Sequence, residues 1–356
     1  PRPVAADSRN SQKLLHADLM GDDPASIPVL ASDITRPVTS RPFNRGCPES
    51  GVAMVRNGFS GSCVAIVTPM RAQGGVDWQA WDRLIDWHAD SGTAGIVVGG
   101  TTGESPTLGD AELRELVVQA QPIHTQRRAA GRLRILAGAG TNSTAGTVAK
   151  VRELSALGVD GLLLATPAYN KPTQEGLYQH YAAAAQASAV PLMLYNVPGR
   201  TAVDMLPETV ARLAALPRIT AIKEAVASLD RICALRSVCP ADFQILSGDD
   251  PTAREALALG ACGVVSVTAN VAPALMSRMV DAALAGDAPQ AAELDARLAG
   301  LHQQLFVEAN PIPVKWAMAR MGLIGDTLRL PLTVLSAPCH EVVRAAMRQA
   351  DITPAD

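Results

Sequence analysis

The chain has 356 residues, 48% hydrophobic but only 3% aromatic, which allows a large core that must be mostly aliphatic. Its formal charge of −3 argues against nucleic acid or an anionic membrane as the main partner. No run of roughly 18 apolar residues occurs, so no membrane-spanning helix is expected. Six cysteines (Cys47, Cys63, Cys233, Cys239, Cys262 and Cys339) lie scattered without a CxxC pair, as suits reduced thiols in the cytoplasm. The six histidines are equally dispersed, so no metal site is expected.

Residues 1–58 are polar and punctuated by Pro3, Pro24, Pro28, Pro37, Pro42 and Pro48, with no sustained helix or strand period. Such a segment buries too little apolar area to offset its ordering entropy and reads as a disordered extension. It lacks the apolar stretch of a secretory signal, and Asp7, Asp18, Asp22, Asp23 and Asp33 count against a transit peptide. It reads as a dispensable tail or as sequence upstream of a start near Met54, with a regulatory arm as the alternative.

Beyond it, short apolar runs alternate with amphipathic stretches. The expected strands are Cys63–Thr68, Gly95–Val98, Arg134–Ala139, Gly161–Thr166, Leu192–Asn196, Thr220–Lys223, Gln244–Ser247 and Gly263–Val267. Helices are expected between them over Trp78–Asp90, Asp110–Gln126, Thr144–Leu157, Gln174–Ala187, Pro207–Leu216, Leu229–Val238 and Thr252–Leu259. In the second of these, Leu113, Leu116 and Val117 share one face while Glu112, Arg114 and Glu115 lie off it, a 3.6-residue period. Nearly continuous apolar strands are those of a parallel sheet covered on both sides. Eight strand–helix units predict a (β/α)8 barrel over 59–286, with a doubly wound open sheet as the rival. A C-terminal helical region over 287–356 follows, with helical stretches at about Pro289–Met321 and Pro338–Ala350, broken by Pro311, Pro313 and Pro331.

In such a barrel, reactive groups gather at the C-terminal strand ends. Those positions hold Thr101 and Thr102, Tyr169, Tyr195, Arg200, Lys223 and Gly248. Alternation places Ala221 and Lys223 on one strand face and Ile222 on the other. A charged lysine facing an apolar interior is costly, which favours the neutral amine that attacks a ketone. The bland alternative is a lysine paired with a carboxylate; the nearby tyrosine and threonines weigh against it. Tyr195 is either a core aromatic with a satisfied hydroxyl or a proton shuttle. Gly100–Ser105 lacks the P-loop pattern, yet its N–H groups and hydroxyls suit a small carboxylate. Gly138-Ala139-Gly140 makes a poor dinucleotide fingerprint, because Ser143 holds the third glycine position, and no GxSxG elbow occurs.

The segments Val64–Pro69, Gly100–Ser105, Tyr195–Thr201, Ile222–Ala225, Leu246–Asp250 and Asn310–Lys315 together resemble the dihydrodipicolinate synthase family. The resemblance runs in order from about Gly58 to about Ala350. It implies condensation of pyruvate with L-aspartate-4-semialdehyde on the route to diaminopimelate and lysine, without a cofactor. Lys223 would form the Schiff base with pyruvate. Thr101, Tyr195 and Tyr169 would relay protons, with Tyr169 reaching in from a neighbouring subunit of a homotetramer. Thr102 would hold the pyruvate carboxylate and Arg200 the carboxylate of the semialdehyde, with Gly248 and Val265 also lining the substrate site. N-acetylneuraminate lyases and sugar-acid aldolases share the lysine and tyrosine, but Arg200 after Tyr-Asn-Val-Pro favours the semialdehyde enzyme. A catalytically silent barrel would be expected to have lost part of this set.

In lysine-inhibited members of the family, an allosteric pocket uses an asparagine, a glutamate, histidines and an extra tyrosine. Asn142 matches the asparagine, whereas Gly146 stands at the glutamate position, Asp110 and Leu113 at the histidines and Ala168 at the tyrosine. Weak or absent inhibition by lysine is therefore expected, with Asp110 as the one alternative carboxylate.

Overall fold

The computed structural model describes residues 58–128 and 133–354. Apart from Gly58, the expected N-terminal extension lies outside the described residues. Eight parallel strands close into a barrel in sequence order: β1 (Gly61–Ala65), β2 (Gly95–Val98), β3 (Arg134–Gly138), β4 (Gly161–Ala165), β5 (Leu192–Asn196), β6 (Ile219–Glu224), β7 (Gln244–Ser247) and β8 (Gly263–Ser266). Pairing of Cys63 with Val265 joins β1 to β8 and completes the ring.

The helices are α1 (Trp78–Asp90), α2 (Asp110–Arg128), α3 (Thr144–Ser155), α4 (Gln174–Ala187), α5 (Pro198–Thr201), α6 (Pro207–Ala214), α7 (Leu229–Val238), α8 (Ala253–Ala258) and α9 (Pro273–Leu284), then α10 (Ala288–Gln304), α11 (Ile312–Arg320) and α12 (His340–Gln349). Their starts are legible chemistry. Asp77, Ser143 and Thr173 cap α1, α3 and α4 by accepting the N–H of Ala80, Gly146 and Gly176. Prolines occupy the first position of α5, α6 and α9, where the missing N–H costs nothing.

Strand alternation divides the core in two. Cys63, Ala65, Val97, Leu136, Leu163, Met193, Tyr195, Ala221, Leu246 and Val265 fill the barrel interior, with Phe59 among them. Their neighbours Val64, Ile96, Ile135, Leu162, Leu194, Ile222, Ile245 and Val264 pack outward with the helices. Ala221 inside and Ile222 outside is the split that alternation predicts.

The C-terminal region differs from expectation in detail. The stretch Pro289–Met321 is two helices, divided near a cis Asn310–Pro311 bond. Pro313 does not break α11 but sits in its first turn, where proline is tolerated. Pro331 lies in the non-helical stretch 321–336 that follows α11.

Candidate active site

Lys223 ends the inward row of β6 and is 4% exposed. Its register partner is Tyr195 on β5, and its Nζ lies 4.3 Å from the centre of the Tyr195 ring. An ammonium is held by that π-face, while a neutral amine is free to react. Gly248, just after β7, leaves the space for this lysine. A Cβ there would stand 2.8 Å from Lys223 Cε and 2.9 Å from its Cγ. Val265 belongs to the same interior cluster as Tyr195.

A cleft of about 510 Å³ opens at Tyr195, lined also by Thr101, Val197 and Arg200. The threonine loop follows β2 and is folded on itself: Gly103 and Ser105 donate N–H groups to the Gly100 carbonyl at 3.1 and 3.2 Å. Backbones crowd beneath it, since a Cβ on Gly138 would lie 2.3 Å from the Gly99 carbonyl oxygen. Thr68 Oγ1 donates to the Gly103 carbonyl at 2.8 Å. Thr102 is buried, and its Oγ1 accepts from Asn310 Nδ2 at 3.0 Å. The carbonyl of Asn310 in turn accepts from Arg200 at 3.0 Å. One residue of the C-terminal region thus ties the threonine loop to the arginine.

Two buried glutamates flank the cleft. Glu104 receives the Lys315 ammonium at 2.5 Å and the Arg329 backbone N–H at 3.0 Å. Burial pushes the Lys315 ammonium below the ordinary lysine range, opposed by Glu104. Glu224 follows Lys223 but faces outward, and burial pushes its carboxyl up to about 7, against hydrogen bonds from Val226 and Asn196 and the charge of Arg231. Beside it, burial opposes ionisation of Asp204, but hydrogen bonds from Arg231 and Asn196 hold its carboxyl below the usual range.

Of the expected site residues, Thr101, Tyr195 and Arg200 line this cleft. Lys223 lies against Tyr195 with Gly248 beside it, Val265 belongs to the interior cluster, and Thr102 joins Arg200 through Asn310. Tyr169 does not line the cleft of its own chain. It is 91% exposed with φ +71°, in the left-handed region that a bulky residue seldom adopts. Its loop is anchored through Asn142, whose Oδ1 accepts the Ala168 N–H at 3.3 Å and whose carbonyl accepts from Asn170 at 2.6 Å. Asn310, Lys315 and Glu224 lie in segments that carry the family resemblance, but no site role was expected of them. The available signals were a lysine inside an otherwise apolar helix and a glutamate on the covered strand face.

A larger cavity of about 540 Å³ lies at the opposite end of the strands, beside Gln244 and Cys262. Its guanidinium groups are already engaged, Arg254 by Asp295 and Glu255 and Arg236 by the Phe243 and Ala241 carbonyls. Among the described residues, no three His, Cys, Asp or Glu side chains group so as to hold a metal ion.

Residues 58–350 match the dihydrodipicolinate synthetase family. The chain belongs to that family. The 4-hydroxy-tetrahydrodipicolinate synthase of Methylococcus capsulatus is 52% identical over 297 residues, spanning 83% of this chain and 99% of that protein. A chloride-inhibited dihydrodipicolinate synthase from Acinetobacter baumannii, solved with pyruvate, is 47% identical with a TM-score of 0.80, covering 83% of this chain and 100% of that one. A synthase variant described as monomeric is 40% identical with a TM-score of 0.79, covering 83% and 97%. Membership of the dihydrodipicolinate synthetase family makes the chain an enzyme of the synthase and lyase type in diaminopimelate and lysine biosynthesis. Among the described residues no helix is long and apolar enough to cross a membrane.

Proposed function

We propose that the chain condenses pyruvate with L-aspartate-4-semialdehyde in the cytoplasm, through an imine on Lys223. The observation that carries this reading is the buried Lys223 amine facing the Tyr195 ring in a barrel mouth cleared by Gly248. The neutral amine adds to the pyruvate ketone, and the carbinolamine loses water to give the imine. Each step moves a proton, which Tyr195 and Thr101 relay. The imine draws electrons from the adjacent methyl carbon, which loses a proton to form an enamine. The enamine carbon then bonds to the semialdehyde carbonyl carbon, whose oxygen takes up a proton.

Thr102 and the loop N–H groups bind the pyruvate carboxylate, while Gly248 and Val265 complete the pocket wall. Arg200 presents its guanidinium to the second carboxylate. Residues 59–286 then form the catalytic barrel, and 287–356 buttress it. Exposure of Tyr169 on a strained backbone fits a tyrosine donated to a neighbouring subunit of a homotetramer; ultracentrifugation alongside activity tests that assembly. Borohydride reduction in the presence of pyruvate should add the reduced pyruvate mass to Lys223. An unmodified Lys223 rejects the mechanism, and coupled assays with alternative aldehydes test the second substrate.

Weak restraint by lysine belongs to the same proposal. Gly146 offers no carboxylate, and Asp110 is engaged by Lys150 Nζ at 3.0 Å. Activity is expected to persist at millimolar lysine, and strong inhibition below a millimolar would sink the idea.

A further inference from the structure

The outward face of β5 and β6 carries a second matched pair. Tyr195 and Lys223 are register partners facing the interior; the next pair in the ladder is Asn196 and Glu224, which face the helices. Asn196 Nδ2 donates to both Glu224 carboxylate oxygens at 3.1 Å and to Asp204 Oδ1 at 2.8 Å. Its Oδ1 accepts the Met205 N–H at 3.0 Å. Glu224 also accepts the Val226 N–H at 2.9 Å. Arg231, from α7, grips Asp204 at 2.6 and 3.0 Å and stands 3.6 Å from Glu224.

Asn196 and Glu224 are both buried. Polar groups sealed between a barrel strand and its helices are costly unless fully satisfied, and apolar residues serve stability as well there. This cluster has a geometric job instead. The β5–β6 ladder is irregular between Leu192 and Met193, so backbone pairing alone fixes the register less firmly. A one-residue slip would turn Lys223 away from the interior. The same amide pins Asp204 and Met205, and so closes the turn that carries Arg200.

We propose that Glu224 is a positioning residue for the Lys223–Tyr195 pair, acting through Asn196 to lock the end of β6 against the end of β5. The inference rests on Lys223 being the imine-forming lysine. The charged groups around Glu224 are Asp204 from the loop after α5 and Arg231 from α7, with Glu208 of α6 acting on Arg231. One guanidinium serves two carboxylates, and burial pushes Glu224 up to about 7, so the clamp changes protonation in the neutral range.

Glu224→Ala and Glu224→Gln in the full chain test this, by borohydride trapping with pyruvate and by kcat and KM across about pH 5.5 to 9. Glu224→Ala should lower kcat and the trapping rate by about tenfold or more, with a smaller change in either KM. Glu224→Gln keeps an acceptor for Asn196. It should recover most of kcat but lack the inflection near pH 7 that is expected of the unaltered chain. Should Glu224→Ala not fold, the pH profile of Glu224→Gln carries the test alone. Unaltered kcat and trapping in Glu224→Ala, or a pH profile unchanged in Glu224→Gln, would overturn the proposal. If the unaltered chain itself is not trapped, the reading of Lys223 fails and this inference falls with it.

Discussion

Glu104 and Glu224 stand behind opposite halves of the cleft, one beneath the threonine loop and the other behind the lysine strand. Both are 1% exposed, yet they are compensated differently. Glu104 meets the ammonium of Lys315, itself 0% exposed, together with a backbone N–H of Arg329. Glu224 also receives a backbone N–H, from Val226, but its other partners are an amide and a guanidinium that Asp204 already holds. The partner, not the depth of burial, decides how each carboxylate behaves. The threonine half is built on a committed ion pair and the lysine half on a shared, titratable cluster.

The largest expected effect comes from breaking the committed pair. Lys315→Met leaves Glu104 buried without its cation and should cost about 3–5 kcal/mol in urea denaturation. Glu104→Gln combined with Lys315→Met should recover most of that loss. If the double variant were no more stable than the single, the comparison would fail.

On the lysine side, Gly248→Ala forces a methyl against Lys223. The expected cost is about 1–3 kcal/mol of stability, with imine trapping slowed by about tenfold. Loss of stability without slower trapping would mean that Gly248 serves the fold alone.

The pH dependence of stability probes the lysine half on its own. Burial raises Glu224 from 4.5 to about 7, so the folded chain holds that proton more tightly than the unfolded one. Its favourable contribution is complete below about pH 4.5 and is lost as the pH rises through 7. Glu224→Gln should therefore gain on the unaltered chain by on the order of 2–3 kcal/mol at pH 8 and by little at pH 5, read from paired melts. A pH-independent difference would remove the titrating clamp from the account. The smallest effect calibrates the scale: at the exposed Arg114–Glu153 pair, Arg114→Ala should cost under about 1 kcal/mol.

Much of this architecture was legible from local pattern. Alternation in Ile219–Glu224 put Lys223 inward and Ile222 outward, and the strand limits shifted by only a few residues, as at β1, which ends at Ala65 rather than Thr68. Contacts between distant segments were not legible. Asn310 and Thr102 are 208 residues apart, and nothing local to either encodes their hydrogen bond. Pro313 misled because proline ends a helix in its interior but opens one in its first turn, and the sequence does not mark where that turn begins. Glu224 was visible as the neighbour of Lys223, but its partner Arg231 lies on the next helix.

The late position of Asn310, Lys315 and Arg329 has a consequence for synthesis. All eight strands have been translated once Ser266 is added, but the groups that brace Thr102 and Arg200 are still to come. At ribosomal speed that interval lasts on the order of seconds. A nascent chain can therefore close its ring before it can hold its threonine loop. The support of the site is thus completed after the last strand rather than with it.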